Sequence, residues 1–307
     1  MRRKFAQQYG LLLPEIQLFD SHNIYPQRYQ ILINGVTAAS YDLRLGSVLV
    51  IVDGDRRPDY PGDAVKDPAF GMEAVWVADA FSNELRSDGF KPIDPISVML
   101  THLNETLKSS LPQLLSYKSI RVLLGDIDAE YKKLLDEICP SHISYTGIQA
   151  VLKLLLAERV SIRNLPLILE SIAEIVPHVR RAEQVAEHVR TRLAQQICGD
   201  LAPDGPLKIL RLGSRWDSTF QQALKRDQKG EVVEFDFEPR LLEQFGIEIS
   251  DAVRPKLDAG EQFALVCKGD TRPYVRMVVE RLFPTVPILS HLEIGRNIKI
   301  APIGALS

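Results

Sequence analysis

Cysteine is scarce in this sequence, and the three cysteines present stand far apart. They are Cys139, Cys198 and Cys267, and no Cys-x-x-Cys spacing occurs among 307 residues. A disulfide framework and a cysteine-based zinc site both need closely patterned cysteines, so the sequence argues against both. Isolated cysteines of this kind suit a reducing compartment.

Long apolar runs are also missing. No stretch of about 18 consecutive apolar residues exists, so no membrane span is predicted. The first ten residues, MRRKFAQQYG, are basic but lack the apolar segment of a signal peptide. The sequence as given therefore predicts a soluble intracellular polypeptide.

Neither sign of charge is in large excess. The chain has 37 Lys and Arg against 40 Asp and Glu, a net charge of −3. Basic residues are interspersed with acids, as in RRAE at 180–183, which is typical of a solvated helix face. The pattern around 46–94 could suggest a small RNA-binding fold, but the aromatic pair and basic surface that such domains use are absent. Nucleic acid is therefore not predicted as a partner.

Catalytic motifs are not found. The sequence contains no GxSxG, GxGxxG or Walker loop, and its six histidines show no metal-ligand spacing such as HExxH. One enzyme-like feature is the loop that carries Asp53, Asp55, Asp59 and Asp63, because carboxylates at a strand end can hold Mg²⁺ or Ca²⁺. The alternative is a polar surface loop in which Arg56 and Arg57 offset the negative charge of the carboxylates. We predict no enzyme, no cofactor and no metal, and keep a metal-dependent enzyme using the Asp53–Asp63 loop as the alternative.

The length of 307 residues predicts about two domains, and the 45% of residues that are hydrophobic can supply a sizeable core. Residues 2–9 predict a short helix stopped by Gly10, and Asn34-Gly35 predicts a tight type I′ hairpin. The run 46–52 predicts a strand. Asp79 is predicted as the N-cap of a helix that ends at Gly89, and Asp94-Pro95 predicts the start of another helix.

A change of period divides the rest of the chain. From 95 to about 198 the apolar pattern is almost wholly helical, and CGDLAPDGP at 198–206 predicts a linker and the main domain boundary. Beyond it, strand candidates alternate with helices near 215–226, 238–257 and 271–283, which predicts an α/β unit.

The stretch DPAFG at 67–71 combines turn residues with an aromatic ring. Asp67 before Pro68 starts a turn, and Gly71 can take a positive φ. Two hypotheses fit Phe70: the ring folds back over its own loop, or it is an exposed anchor for a partner. Local turn chemistry alone favours the first.

Several ordered blocks together resemble one family. DPAFGMEAVWV (67–77), DPISVMLTHLNE (94–105), VLKLLLAERVSIRNLPLILESIAE (151–174), HVRTRLAQQI (188–197) and PILSHLEI (287–294) occur in the order expected for the C-terminal cytoplasmic domain of the FHIPEP family. These are the large export-gate proteins of flagellar and virulence type III secretion systems. The resemblance covers essentially the whole chain. The PIG segment near its end is more similar to the virulence, or injectisome, branch than to the flagellar one.

The resemblance implies a mixed α/β (α+β) fold of four small subdomains. Subdomain 1 takes residues 1–45 and 95–114, and a small α/β, RRM-like subdomain 2 is inserted at 46–94. Residues 115–198 form a helical subdomain 3, and 199–307 form an α/β subdomain 4. The family's membrane region would precede Met1, so the resemblance also implies a longer, membrane-anchored natural chain with this part on the cytoplasmic face of the bacterial inner membrane.

The implied function is a docking platform for protein export. The resemblance implies a homo-oligomeric ring, nonameric in the family, that receives chaperone–substrate complexes, a gatekeeper protein and the stalk of the associated ATPase. In flagellar members a cleft between the first two subdomains binds export chaperones. The positions here that match its residues are Asp67, Phe70 and Thr101. These matches favour the exposed-anchor hypothesis for Phe70. The resemblance implies that the Asp67 carboxylate and the Thr101 hydroxyl fix the register of a partner helix.

Overall fold

A computed structural model describes residues 2–52, 54, 56–228 and 230–306 of the chain. Its first 127 residues carry α1 (Arg2–Tyr9), β1 (Arg28–Ile33), β2 (Val36–Asp42), β3 (Ser47–Ile51), β4 (Gly62–Lys66), β5 (Glu73–Ala78), α2 (Ser82–Ser87), α3 (Pro95–Ser109), α4 (Leu111–Leu114) and α5 (Tyr117–Gly125).

The later elements are α6 (Ala129–Ile138), α7 (Tyr145–Ala157), α8 (Leu165–Ile175), α9 (Ala182–Arg192), α10 (Ala194–Leu201), β6 (Leu207–Leu212), α11 (Ser214–Gln222), β7 (Leu224–Arg226), β8 (Val232–Phe235), α12 (Pro239–Asp258), β9 (Ala264–Cys267), α13 (Arg272–Val279), β10 (Ile288–Ser290) and β11 (Ile300–Leu306). Short 3₁₀ turns lie at Asp79–Phe81 and His291–Glu293. The mixed α/β fold class is confirmed. No described helix is both long enough and apolar enough to cross a bilayer.

The chain divides into two compact units. The first comprises Met1–Ile127 and Tyr145–Arg163, and the second Asp128–Ser144 and Asn164–Ser307. The division into four subdomains is finer than this and stays a prediction.

The first unit contains the predicted hairpin and an inserted sheet. β1 and β2 pair antiparallel, and the positive φ of Asn34 and Gly35 confirms the predicted tight turn. β3, β5 and β4 form a separate antiparallel sheet in that order. One face of this sheet buries Val48, Val50 and Val77 against Leu85 of α2, and the other buries Leu49 and Trp76 against Val98 of α3. The small α/β insertion therefore has apolar packing on both faces.

Local signals set most boundaries in this unit. Gly10 has φ +73° directly after α1, and Asp94 accepts a hydrogen bond from the Ser97 amide (2.9 Å), which confirms the predicted stop and the predicted cap. The prediction for Asp79 is wrong in detail. A 3₁₀ turn intervenes, α2 begins at Ser82, and the Asp79 carboxylate accepts from the Ser82 hydroxyl at 2.7 Å.

The second unit contains the predicted α/β arrangement. Four parallel strands lie in the order β10-β9-β6-β11, with a core that includes Trp216, Phe220 and Phe245. β7 and β8 form a small separate hairpin. The predicted linker begins later than expected, because α10 runs on to Leu201.

Candidate functional site

The turn between β4 and β5 carries the two predicted site residues Asp67 and Phe70. The Asp67 amide donates to the Met72 carbonyl at 2.8 Å, and the Gly71 amide donates to the Asp67 carbonyl at 2.9 Å. Gly71 has φ +72°, as the turn chemistry predicts, and a side chain there would be strained. These bonds close a tight turn at the end of the β4–β5 pair.

Asp67 stabilises this turn with its side chain. Asp67 is only 7% exposed, and its carboxylate accepts a hydrogen bond from the Phe70 amide at 2.7 Å. Aspartate side chains commonly cap turns in this way. The structure thus gives Asp67 a role within the chain in addition to the partner contact that the resemblance implies.

Phe70 does not fold back over its own loop. Its side chain is 58% exposed, and Met72 on the same turn is 43% exposed. An exposed aromatic ring on a hydrogen-bonded turn loses little conformational freedom when a partner covers it. The geometry therefore favours the exposed-anchor hypothesis.

Thr101 lies on α3, and its hydroxyl stays within its own helix. Its Oγ1 donates to the Ser97 carbonyl at 2.8 Å, at an exposed position. The oxygen lone pairs of Thr101 can still accept a hydrogen bond from a partner.

The structure adds apolar residues that sequence reasoning missed. Ile96 and Leu100 on α3 are both exposed, whereas Val98, His102 and Thr106 form the buried side of the helix. The signal was present in the spacing: positions 96 and 100 lie about 200° around the helix from positions 98 and 102. An apolar pair out of phase with the buried face indicates a surface that faces something other than the core.

A partly buried polar cluster joins α3 to the strands. Tyr29 Oη and His102 Nδ1 are 2.6 Å apart, and the Tyr41 hydroxyl lies 3.2 Å from Trp76 Nε1 and 3.3 Å from the Lys66 carbonyl. Burial lowers the pKa of His102 below its ordinary value, and the negative charge of Asp67 partly opposes this shift. Burial also raises the pKa of Tyr29 and Tyr41, with a further contribution from Asp67. The Asp67 carboxylate therefore lies within electrostatic range of all three side chains.

A cleft of about 320 Å³ lies beside this cluster. Its walls include Tyr41, Val65 and Trp76, together with the Arg28–Asp42 ion pair. The cleft lies between the β1–β2 hairpin and the inserted sheet, and its lining does not include Asp67, Phe70 or Thr101. The partner cleft that the resemblance implies therefore stays a prediction.

The predicted alternative metal loop lies partly outside the described residues. Asp53 and Asp55 are not described, and Asp63 is 3.4 Å from Arg44 in an ion pair. Among the described residues, no group of three or more His, Cys, Asp or Glu side chains is arranged to hold a metal ion.

Two curated relatives are flagellar proteins. The chain is 34% identical over 305 residues to the flagellar biosynthesis protein FlhA of Caulobacter vibrioides, and 28% identical over 307 residues to FlhA of Bacillus subtilis. These alignments cover 99% and 100% of this chain but only 43% and 45% of the relatives. The chain thus spans less than half the length of the curated relatives it matches.

Solved structures share the fold. The CdsV protein of Chlamydia pneumoniae superimposes on this chain with a TM-score of 0.86 at 23% identity, and the match covers all of this chain and 88% of that one. A second structure, of CdsV in complex with CdsO, gives a TM-score of 0.85 at 23% identity with the same coverage of 100% and 88%. The nonameric cytosolic domain of EscV, from a type III secretion system, gives 0.78 at 21% identity, covering 100% and 90%.

The family assignment rests on the sequence match itself. The profile of the FHIPEP family matches residues 1–299, nearly the full length of the chain. The ordered blocks around DPAFG, THL and SHLEI that suggested this family lie within the matched range. The chain belongs to the FHIPEP family.

Proposed function

We propose that this chain is a docking platform of a type III protein export apparatus. It forms a ring at the cytoplasmic face of the inner membrane, beneath the membrane part of the export gate. There it receives chaperone–substrate complexes, a gatekeeper protein and the ATPase stalk. Membership of the FHIPEP family supports this assignment, and so does the likeness of its fold to CdsV and EscV. The proposal assigns no catalytic step to the chain.

The observation that carries the proposal is the exposed Phe70 ring on a turn held by buried Asp67. Aromatic anchors dominate many protein interfaces because one rigid ring removes a large apolar area from water. Met72 on the same turn adds apolar area, and Thr101 supplies a hydroxyl on α3. This combination suits an amphipathic helix of the partner, whose apolar face covers the ring and whose polar edge bonds Thr101.

Replacing Phe70 tests the site. Phe70→Ala removes the anchor from an exposed position, so the fold should keep its melting temperature while partner binding weakens by about 1–3 kcal/mol. That loss corresponds to roughly a 5- to 150-fold rise in Kd. Titration calorimetry against a purified chaperone–substrate complex from the source cell measures it.

A matched control separates a site effect from a general one. Phe19→Ala removes the same group from a position that is 81% exposed and lies before the hairpin, so it should leave Kd unchanged. If Phe70→Ala lowered the melting temperature and binding together, Phe70 would be a core residue and the proposed site would be wrong.

The branch of the family is decided by the same titration. The PIG segment is the basis for proposing the virulence branch, whereas the names of the curated relatives favour the flagellar counterpart. Chaperone–substrate complexes from both systems can be titrated in parallel. Tight binding of only the flagellar complex would assign the chain to flagellar export, and binding of only the effector complex to the injectisome.

A further inference from the structure

We propose that Tyr29, Tyr41 and His102 are positioning residues for the partner site. Together they hold the turn of Asp67 and Phe70 in a fixed relation to the helix that carries Thr101. The inference rests on the proposed function in one respect, that this turn and helix receive the partner. These three side chains are called the Tyr–His cluster below.

The first link of the Tyr–His cluster joins β1 to α3. Tyr29 Oη lies 2.6 Å from His102 Nδ1, and the two rings meet edge to face with centroids 5.7 Å apart. When Nδ1 carries no proton, the tyrosine hydroxyl donates and the imidazole accepts. His102 directly follows Thr101, so a bond that fixes the histidine also fixes the rotation of the helix that presents the threonine.

The second link joins β2 to the inserted sheet. The Tyr41 hydroxyl accepts a hydrogen bond from Trp76 Nε1 on β5 and donates one to the carbonyl of Lys66. Lys66 is the last residue of β4 and immediately precedes Asp67. One hydroxyl thus ties the hairpin to both strands that lead into and out of the turn.

The two links meet at His102. The Tyr41 ring lies edge-on to the imidazole with centroids 6.4 Å apart, and the Asp67 carboxylate acts electrostatically on all three members of the cluster. Hydrogen bonds require defined distances and angles, whereas the hydrophobic attraction is non-directional. The apolar contacts of Leu49, Trp76 and Val98 hold the inserted sheet and α3 together, and the Tyr–His cluster sets how the sheet and the helix are oriented.

This separation of roles makes the proposal testable. Tyr→Phe substitutions remove the hydroxyls but keep the rings, so the apolar contacts remain and the chain still folds. Tyr41→Phe should leave the carbonyl of Lys66 and the indole of Trp76 without their bonds, and the turn should open more often. The amides of Asp67, Phe70 and Gly71 are protected by bonds inside that turn and report its opening.

Hydrogen exchange read by mass spectrometry on segment 65–72, with no partner present, is the experiment. Tyr41→Phe should speed exchange there about fivefold, the effect of losing one ordinary hydrogen bond, with exchange in 207–212 unchanged. Tyr117→Phe is the matched control, because Tyr117 is exposed and its hydroxyl makes no hydrogen bond among the described residues. Unchanged exchange in 65–72, or an equal rise in both segments, would overturn the proposal.

A second variant tests the other link. Tyr29→Phe should move the imidazole ¹⁵N resonances of His102, assigned by comparison with His102→Asn, because the hydroxyl sets which ring nitrogen carries the proton. Unmoved resonances would overturn the Tyr29 assignment. Since neither measurement uses a partner, failure of the proposed docking function would leave both results standing.

Discussion

At the scale of single residues, the most demanding feature is a group of charges buried in the second unit. The carboxylate of Glu293 is almost fully buried and lies 2.6 Å from Arg190 Nη2. Its other oxygen accepts from the Ser290 amide at 2.6 Å and lies 3.8 Å from Arg272 Nε. Arg272 in turn donates to Glu187. Two buried guanidinium groups thus depend on two carboxylates.

Glu293→Gln should destabilise the chain strongly. The amide keeps the size of the side chain but removes the charge that both arginines face, and breaking a buried pair costs about 3–5 kcal/mol. Glu234→Gln is the control, because Glu234 pairs with Lys225 at 3.1 Å on the exposed β7–β8 hairpin and should cost under about 1 kcal/mol. Urea unfolding of both variants measures the difference, and equal midpoints would contradict it.

At the scale of elements, much of the fold could be predicted because its signals are local. Asn34-Gly35, Asp94-Pro95 and Gly10 each set a boundary through the backbone angles and bonds of two to four neighbouring residues. Short apolar runs likewise separated the strand candidates beyond residue 206 from the 3.6-residue apolar period of the helices before it.

What the sequence could not supply is long-range pairing. Tyr29 meets His102 across 73 positions, and Arg272 meets Glu187 across 85, with no local pattern to link them. The candidate site followed from the family resemblance, because local turn chemistry favoured a folded-back Phe70. The exposure of that ring depends on which surrounding elements leave space around it, and composition does not determine this.

Gly10 lies where the end of α1 contacts the backbone of residues 162–163. The Tyr9 carbonyl accepts a bond from the Ile162 amide at 2.9 Å, and a Cβ on Gly10 would lie 2.5 Å from the Arg163 nitrogen. Gly10→Ala should therefore lower the free energy of unfolding for two reasons. A side chain in the left-handed conformation costs about 1–2 kcal/mol, and the clash with the backbone of Arg163 adds about 1–3 kcal/mol. α1 would then separate from the segment that follows α7.

Gly35→Ala isolates the strain component. Gly35 has a similar φ of +79°, but no atom of the described residues lies within 4 Å of its added Cβ, so only strain is expected. Guanidinium unfolding should place the midpoint of Gly10→Ala well below that of Gly35→Ala. Coincident midpoints would mean that the 160–163 segment moves aside at little cost, and that α1 is not fixed by close backbone contact.

At the scale of the whole molecule, the proposed ring makes a specific demand on the surface. A closed ring of odd number needs head-to-tail contacts, in which two different patches on each chain complement one another. A two-fold interface, in which one patch meets itself, gives dimers instead. The net charge of −3 on 307 residues offers little electrostatic resistance to either mode of assembly.

We expect native mass spectrometry at rising protein concentration to show growth that stops at about nine times the 34.5 kDa of one chain. Closure is the reason for the stop, because the ninth subunit uses the last free patch and a tenth finds none. The number nine is the ring size that the family resemblance implies. Oligomers that stop at dimers would mean that one patch of the surface binds the same patch on a second chain. Oligomers that grow without limit would mean that the rotation between neighbouring subunits does not close a ring. Monomers at every concentration would mean that the contacts of this chain alone are too weak to hold a ring.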